Sequence, residues 1–317
     1  MKKEVFFYFD ISKKNGVGHY SRCSVLNYHL NKKKIKTFLL SLNKKKINTY
    51  KEFKISKIKN LINKRKNILI IDDYRISPNK ILFFKKYFRN IFLIEDIPSN
   101  KKNIDVIINP NYEIKKKDYQ NVNATKFFLG ISYKLIKEIK FEKKRKDGFT
   151  ISFGGGIVFK RIRPVLSLIL KHFMKLNYKN KISIFMNLTK SELNFFKKFK
   201  NLNLSIKEIG PTYQSQLSSS NFCISSLGVQ HDEILKKKIP AIFFKIDKNQ
   251  NYNFKISNKN NSSYTFDISD LDEKKLSYAL DRINKKKYRY EIMKNYSKVS
   301  LGNKTFEIIK FIQRKLT

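Results

Sequence analysis

Cysteine, histidine, acidic side chains and long apolar runs are all scarce in this chain. Two cysteines, Cys23 and Cys223, and four scattered histidines serve 317 residues. Neither cysteine has a partner at metal-ligand spacing, which excludes a disulfide framework and argues against a structural zinc site. After Met1-Lys2-Lys3 the run Val5 to Phe9 is broken at Asp10, short of a signal-peptide core. No later run approaches the roughly 18 residues of a membrane helix. A cytoplasmic chain without a membrane span is the expectation. Acidic residues number 25 against 69 Lys and Arg, a formal net charge of +44. The lysines recur in nearly every segment (Lys32 to Lys34, Lys44 to Lys46, Lys115 to Lys117, Lys236 to Lys238, Lys285 to Lys287), beside an excess of Asn, Ile and Phe. Clusters spread over many faces, with no single basic tract, argue against nucleic acid as the partner. Polyanions would still adhere at low salt.

What is present is apolar periodicity. At 41% apolar residues the chain is long enough for two domains of ordinary size, each with its own core. Short apolar runs at Val5 to Phe9, Thr37 to Leu42, Ile68 to Ile71, Ile91 to Ile94, Val106 to Ile108 and Phe127 to Leu129 read as strands. Helical patterns lie near 19–31, 57–66 and 78–88, with a short helix over Tyr133 to Ile139. The charged stretch Lys140 to Gly148 reads as a linker. The pattern then restarts with strands Phe149 to Phe153, Ile182 to Met186, Leu204 to Ile209, Phe222 to Ser225 and Ala241 to Phe244. Helices near 161–176, 190–199, 211–219 and 229–237 alternate with them, and helices near 270–285, 289–298 and 304–315 close the chain. Continuous apolar strands alternating with helices mean parallel sheets covered on both faces. The fold class is α/β, with two doubly wound, Rossmann-like domains facing a cleft. The domains span 1–140 and 148–317, and the last helix is expected to pack back on the first.

The densest chemistry is Gly16-Val17-Gly18-His19-Tyr20-Ser21-Arg22, directly after the first strand. A strand, a glycine turn and a helix start aim backbone N–H groups at a phosphate. Glycines that let the backbone come close, an imidazole that moves protons near neutral pH and an arginine that holds anions are the groups sugar-nucleotide chemistry needs. The competing reading is a strand, turn and helix with a capping histidine. Gly154-Gly155-Gly156 repeats the glycine turn after the first strand of the second half.

The ordered set Phe9-Asp10-x-Ser12, Gly16-x-Gly18-His19-x-x-Arg22-Cys23, Ile71-Asp72-x-Tyr74, Glu95-Asp96, Asn109-x-Asn111 and Gly130-x-x-Tyr133-x-Leu135-Ile136 resembles the UDP-sugar hydrolases of pseudaminic acid biosynthesis. Related proteins occur in surface and spore-coat polysaccharide pathways. The resemblance runs to about Asn251 and implies a two-domain fold of the glycosyltransferase B type. It implies that His19 is the catalytic base, that Tyr74 faces the sugar, and that UDP leaves as water attacks the anomeric carbon. Asp10, Gly16, Gly18, Arg22, Gly154, Gly155, Gly156, Asn249 and Gln250 would then bind phosphate and sugar. Glu233 would accept from the ribose hydroxyls. His231 has no counterpart and reads as a local cap or surface residue. The chain departs from the family at Tyr8, Asp73, Ile157 and Leu227, where family members carry polar groups or glycine.

No cofactor and no metal is expected, because both glycine turns offer backbone donors to the diphosphate. Glu95-Asp96, ending an apolar strand, is the rival that could meet Mg²⁺. Beside a UDP-sugar hydrolase stand two other classes. A B-type glycosyltransferase would release UDP only with an acceptor, and a non-catalytic basic binding protein would show steeply salt-dependent binding.

Overall fold

The computed structural model describes residues 4–9, 18–41, 51–55, 58, 67–136, 148–154, 159–259, 263–296 and 301–316. Met1–Ile11, His19–Lys137 and Ser300–Thr317 form one compact unit, and Ser12–Gly18 with Glu138–Val299 form a second. The expected linker, Lys140 to Asp147, lies outside the described residues, as does nearly all of the helix expected at 57–66.

In the first unit the apolar runs become β1 (Glu4–Phe9), β2 (Lys36–Ser41), β3 (Lys51–Lys54), β4 (Ile68–Asp72), β5 (Asn90–Ile94), β6 (Val106–Asn109) and β7 (Lys126–Leu129). Helix α1 (Gly18–Lys32) follows β1, and α2 (Pro78–Lys85) follows β4. All pairings are parallel, in the order β3-β2-β1-β4-β5-β6-β7. Strands β4 and β5 are buried along their whole length, because a parallel sheet clad on both faces leaves no strand face to solvent. Strand order reverses between β1 and β4, whose register pairs Phe9 with Asp72. In open α/β sheets the crevice beyond the strand ends at such a reversal is where ligands bind.

The second unit contains β8 (Phe149–Ser152), α3 (Phe159–Lys175), β9 (Ile182–Phe185), α4 (Lys190–Leu193), β10 (Leu204–Lys207) and α5 (Pro211–Ser219). It continues with β11 (Phe222–Ser226), α6 (Val229–Lys236), β12 (Ala241–Lys245), α7 (Asn251–Lys259), β13 (Tyr264–Asp267), α8 (Glu273–Asn284) and α9 (Lys286–Tyr296). Its parallel sheet runs β10-β9-β8-β11-β12-β13, so the reversal falls between β8 and β11. Helix α3 shows why these segments are helical. Its buried residues Phe159, Ile162, Val165, Leu166, Ile169, Leu170 and Phe173 recur at three and four residues and form one stripe on the sheet.

Several elements differ from the sequence reading. Strand β3, Lys-Glu-Phe-Lys, and half-buried β13 are sheet edges whose polar composition hides them. Helix α7 opens on Asn251-Tyr252-Asn253 and carries no apolar run. The helix expected at Tyr133 to Ile139 is instead a 3₁₀ turn over Ile131–Tyr133, after which Lys134 is extended at ψ 132°. Among the described residues no helix is long and apolar enough to cross a membrane.

The last helix, α10 (Thr305–Leu316), lies in the first unit. Ile308, Ile309, Ile312 and Leu316 enter one core with Phe7, Leu26, Ile70 and Phe92, and Phe311 packs on Phe92 and Phe128. The chain enters this helix through Gly302, whose N–H donates to Ile131 O at 3.0 Å while its φ is +63°. A Cβ there would stand 2.6 Å from Lys134 O, so both conformation and space require glycine. Gly302→Ala is therefore expected to cost about 1–3 kcal/mol, read as a lower urea midpoint at unchanged slope. An unchanged midpoint would show that this docking strand yields freely.

Candidate active site

Asp72 ends β4, a carboxylate closing an otherwise apolar strand at the reversal of the first sheet. It is wholly buried, where an isolated carboxylate could not stay ionised. Helix α1 supplies its partners. Arg22 lays its guanidinium along Asp72, with Nε donating to Oδ2 at 3.0 Å and Nη2 to Oδ1 at 2.7 Å. His19, three residues earlier on the same helix face, places Nδ1 2.6 Å from Oδ1. The guanidinium also reaches outward, with Nη1 donating to Asp96 Oδ1 at 2.5 Å and Nη2 to Tyr74 Oη at 2.9 Å. The Tyr74 hydroxyl donates in turn to Asp96 Oδ2. Its ring, 39% exposed, meets the His19 imidazole edge-on with centroids 4.7 Å apart.

The electrostatics follow from burial and these partners. Burial alone would raise Asp72, but the charge of Arg22, then His19, and their hydrogen bonds hold it below the usual carboxylate range. Burial pulls Arg22 down, and Asp72 and Asp96 outweigh it, so the guanidinium is permanently charged. Burial of its hydroxyl end, with Asp96 and Asp72 beyond it, pushes the Tyr74 phenol well up against the opposing pull of Arg22. Tyr74 is therefore neutral. An ionised Asp72 can only accept, which assigns the proton of the 2.6 Å contact to His19 Nδ1 and leaves Nε2 as the ring's acceptor.

The wall behind this group is fixed by amides. Asn111 Nδ2 donates to Asp96 O at 2.6 Å, Asn111 N–H to Asn109 Oδ1 at 3.2 Å, and Asn109 Nδ2 to Tyr119 Oη at 2.8 Å. Glu95 turns to its own loop, accepting from Ser99 Oγ at 2.6 Å with Lys101 Nζ at 3.9 Å, and burial raises it. Tyr8 is buried, and Lys80 of α2 donates to its hydroxyl at 2.8 Å.

The reversal of the second sheet carries a different set. Ser226 Oγ donates to Phe153 O at 3.2 Å, tying the ends of β8 and β11, and Gly154 follows at φ +97°, a conformation that favours glycine. Gly228 caps α6, and a Cβ there would stand 3.6 Å from Ser226 Oγ and 3.9 Å from Gln250 Nε2. Gln230 Nε2 donates to Ser152 Oγ at 3.0 Å, and Ile246 N–H donates to Gln250 Oε1 at 2.9 Å. Glu233 is buried on α6, its Oε2 accepting from Gln214 Nε2 at 2.7 Å. Lys237 Nζ donates to Gln214 O at 3.0 Å and to Ser218 Oγ at 2.5 Å. Gln214 Oε1 is buried without a hydrogen-bond partner among the described residues. Burial, then the charge of Glu233 and Cys223, push the Tyr213 phenol up beside it.

The structure thus brings His19, Arg22 and Tyr74 together in the first unit, while Gly18, the first residue of α1, belongs to the second. Gly154, Gln250 and Glu233 lie in the second, where Asn249 is exposed. Asp10, Gly16, Gly155, Gly156 and Ile157 lie outside the described residues. Arg22, expected to hold an anion, is turned inward onto two carboxylates. His231, read as a cap or surface residue, is fully buried, with Nδ1 2.9 Å from Asp232 Oδ1 and Nε2 2.7 Å from Ser257 Oγ. Asp72, which the site reading passed over, and Asp96, which it named only as a rival metal ligand, are the anchors. Their signal was a carboxylate at the end of an apolar strand. Gln214 and Gln230 carried no signal.

No protein-family model and no curated protein matches the sequence. Solved structures do match. MurG of Acinetobacter baumannii aligns with TM-score 0.66 at 12% identity, over 98% of this chain and 99% of its own. The glycotransferase of kitacinnamycin aligns with TM-score 0.63 at 10% identity over 100% of both chains. Staphylococcus aureus MnaA, in a co-structure with UDP, aligns with TM-score 0.65 at 11% identity over 100% of this chain and 98% of its own. The likeness is one of fold, and that fold is the glycosyltransferase B type with a Rossmann-like sheet in each unit.

These findings correct the hydrolase expectation, and with it the placement in pseudaminic acid biosynthesis. The structures that share the fold end to end include a glycotransferase, and none of the three is named a hydrolase. The physical reason lies in where the motifs fall. Asp72, Glu95-Asp96, Asn109 and Gly130 sit at the ends of β4, β5, β6 and β7. They mark the rim of a parallel sheet and do not identify one reaction.

Removing the Asp72 charge should leave a buried guanidinium half paired. Asp72→Asn is expected to destabilise the protein by about 3–5 kcal/mol at pH 7. Asp72 titrates lower when folded than unfolded, so its contribution is full above the unfolded value of about 3.9 and is lost as pH falls through the lowered native value. Urea unfolding across pH should show the gap between wild type and variant closing below about pH 4. A gap that is constant with pH contradicts the ionised assignment.

Proposed function

We propose that this chain is an enzyme that transfers a sugar from a UDP-sugar to an acceptor hydroxyl, with His19 as the general base. The observation that carries this reading is the 2.6 Å contact of His19 Nδ1 with buried Asp72, which leaves Nε2 to take a proton. In the proposed step the acceptor O–H proton passes to Nε2 as its oxygen forms a bond to the anomeric carbon. The bond from that carbon to the diphosphate breaks, and UDP leaves with the electron pair. A positioned imidazole contributes roughly 10²–10⁴-fold to such a step.

The second unit supports the nucleotide half of the reading. Gly154 and the start of α6 lie at the sheet reversal, where strand ends and helix N-termini favour anions. Buried Glu233 and the unpartnered Gln214 Oε1 are acceptors suited to the two O–H donors of a ribose. Glycosyl transfer by the kitacinnamycin enzyme and the presence of UDP in the MnaA co-structure agree with this chemistry.

The test follows UDP release from UDP-N-acetylglucosamine with and without a panel of sugar and alcohol acceptors. Release should depend on acceptor, and His19→Gln should lower it roughly 10²–10⁴-fold. UDP affinity by calorimetry should stay within about twofold, since the base acts on the transition state and not on the nucleotide. Equal release in water alone, or wild-type turnover in His19→Gln, overturns the proposal.

A further inference from the structure

In a histidine–carboxylate pair, the carboxylate balances the positive charge that appears when the ring takes its proton. Here that balance is already taken. Arg22 bonds Asp72 through Nε and Nη2, and with Nη2 3.4 Å from His19 Nδ1 it offsets the Asp72 charge at the ring. Tyr74, against the ring, is a neutral phenol, and Cys23, its Sγ 4.0 Å from Asp72, is a thiol that burial keeps protonated, so neither adds a charge. The remaining charge is Asp96, whose Oδ1 accepts from Arg22 Nη1 at 2.5 Å and whose side chain is only 16% exposed. Two carboxylates around one guanidinium leave the cluster with one negative charge in excess, and an imidazolium supplies the balancing positive charge.

We infer that Asp96 is a positioning residue for the base: through Arg22 and Tyr74 it provides the negative charge that lets His19 hold a proton during the reaction. It does so without touching the ring. Asp72 from β4, Arg22 from α1 and Tyr74 from the following loop face His19, and behind them Cys23 of α1 lies on Asp72 and Asp96, beyond the end of β5, lies on Arg22 and Tyr74. Asp96 is the second negative charge in a cluster that holds one guanidinium. The inference rests on the reading of His19 as the base for its consequence, while its electrostatic content stands on geometry.

The experiment is a pH titration of the full chain by ¹⁵N-histidine NMR, with the His19 signals identified by their loss in His19→Gln. In Asp96→Asn the midpoint of proton uptake by His19 should fall by about 0.5–1 pH unit, the sign expected when a nearby negative charge is removed. Tyr74→Phe, which removes a contact and no charge, should leave the midpoint nearly in place, and Asp96→Glu should restore it. Should Asp96→Asn not fold, Asp96→Ser removes the same charge and is read the same way. An unmoved midpoint in a folded charge-removing variant overturns the inference, and so does an equal shift in Tyr74→Phe. The charge-removing variants of Asp96 in the UDP-release assay should lower kcat with little change in KM. A shifted midpoint with unchanged turnover would leave the charge assignment intact and remove His19 from the base role.

Discussion

One buried guanidinium holds the candidate site together. Arg22 binds Asp72 with two of its nitrogens and Asp96 with the third, so residues from α1, the end of β4 and the end of β5 are fixed by a single planar group. Without it Asp72, buried to 0% exposure, would have to give up its charge, and the tautomer of His19 would lose its cause. A buried ion network of this kind is a poor source of net stability. Its use is geometric, since a guanidinium offers donors in a rigid fork that an ammonium cannot match. Lysine at position 22 would keep the charge and lose the arrangement.

The fold delivers these groups by a general route. A parallel sheet sends every strand end to one rim, and the reversal of strand order between β1 and β4 opens a crevice there. Asp72 sits at that point because its strand stops at it. The second unit repeats the device between β8 and β11, where the Ser226 hydroxyl lies beside Gly154 and Gly228. The two rims differ in chemistry. The first carries an ion cluster of Arg22, Asp72 and Asp96 around His19, and the second carries amides and hydroxyls around Glu233.

Much of this architecture was legible in the sequence because strands buried on both faces must be apolar throughout. Ile68 to Ile71 and Ile91 to Ile94 admit no other reading in an alternating pattern. Edge strand β3 and helix α7 were not legible, since an edge must be polar and a short helix on a sheet rim buries few residues. In the candidate site, His19 and Tyr74 were singled out through motifs, while Asp72 was read past although it stood two residues before Tyr74 in the same one. The inward turn of Arg22 was beyond sequence reasoning, because which anion a guanidinium meets depends on residues 50 and 74 positions away. The six-part resemblance misled on the reaction for a related cause. Residues at strand ends recur wherever this sheet recurs, and they report the rim before they report the chemistry.

The central claim is that Asp72, kept ionised by Arg22, holds the proton of His19 on Nδ1 and leaves Nε2 to act. Two-bond ¹H–¹⁵N correlation spectra of the histidine-labelled chain near pH 8 read this directly. The account predicts that His19 is the Nδ1–H tautomer, with a downfield proton that disappears in Asp72→Asn. A protonated Nε2, with Nδ1 as the bare acceptor, would contradict it.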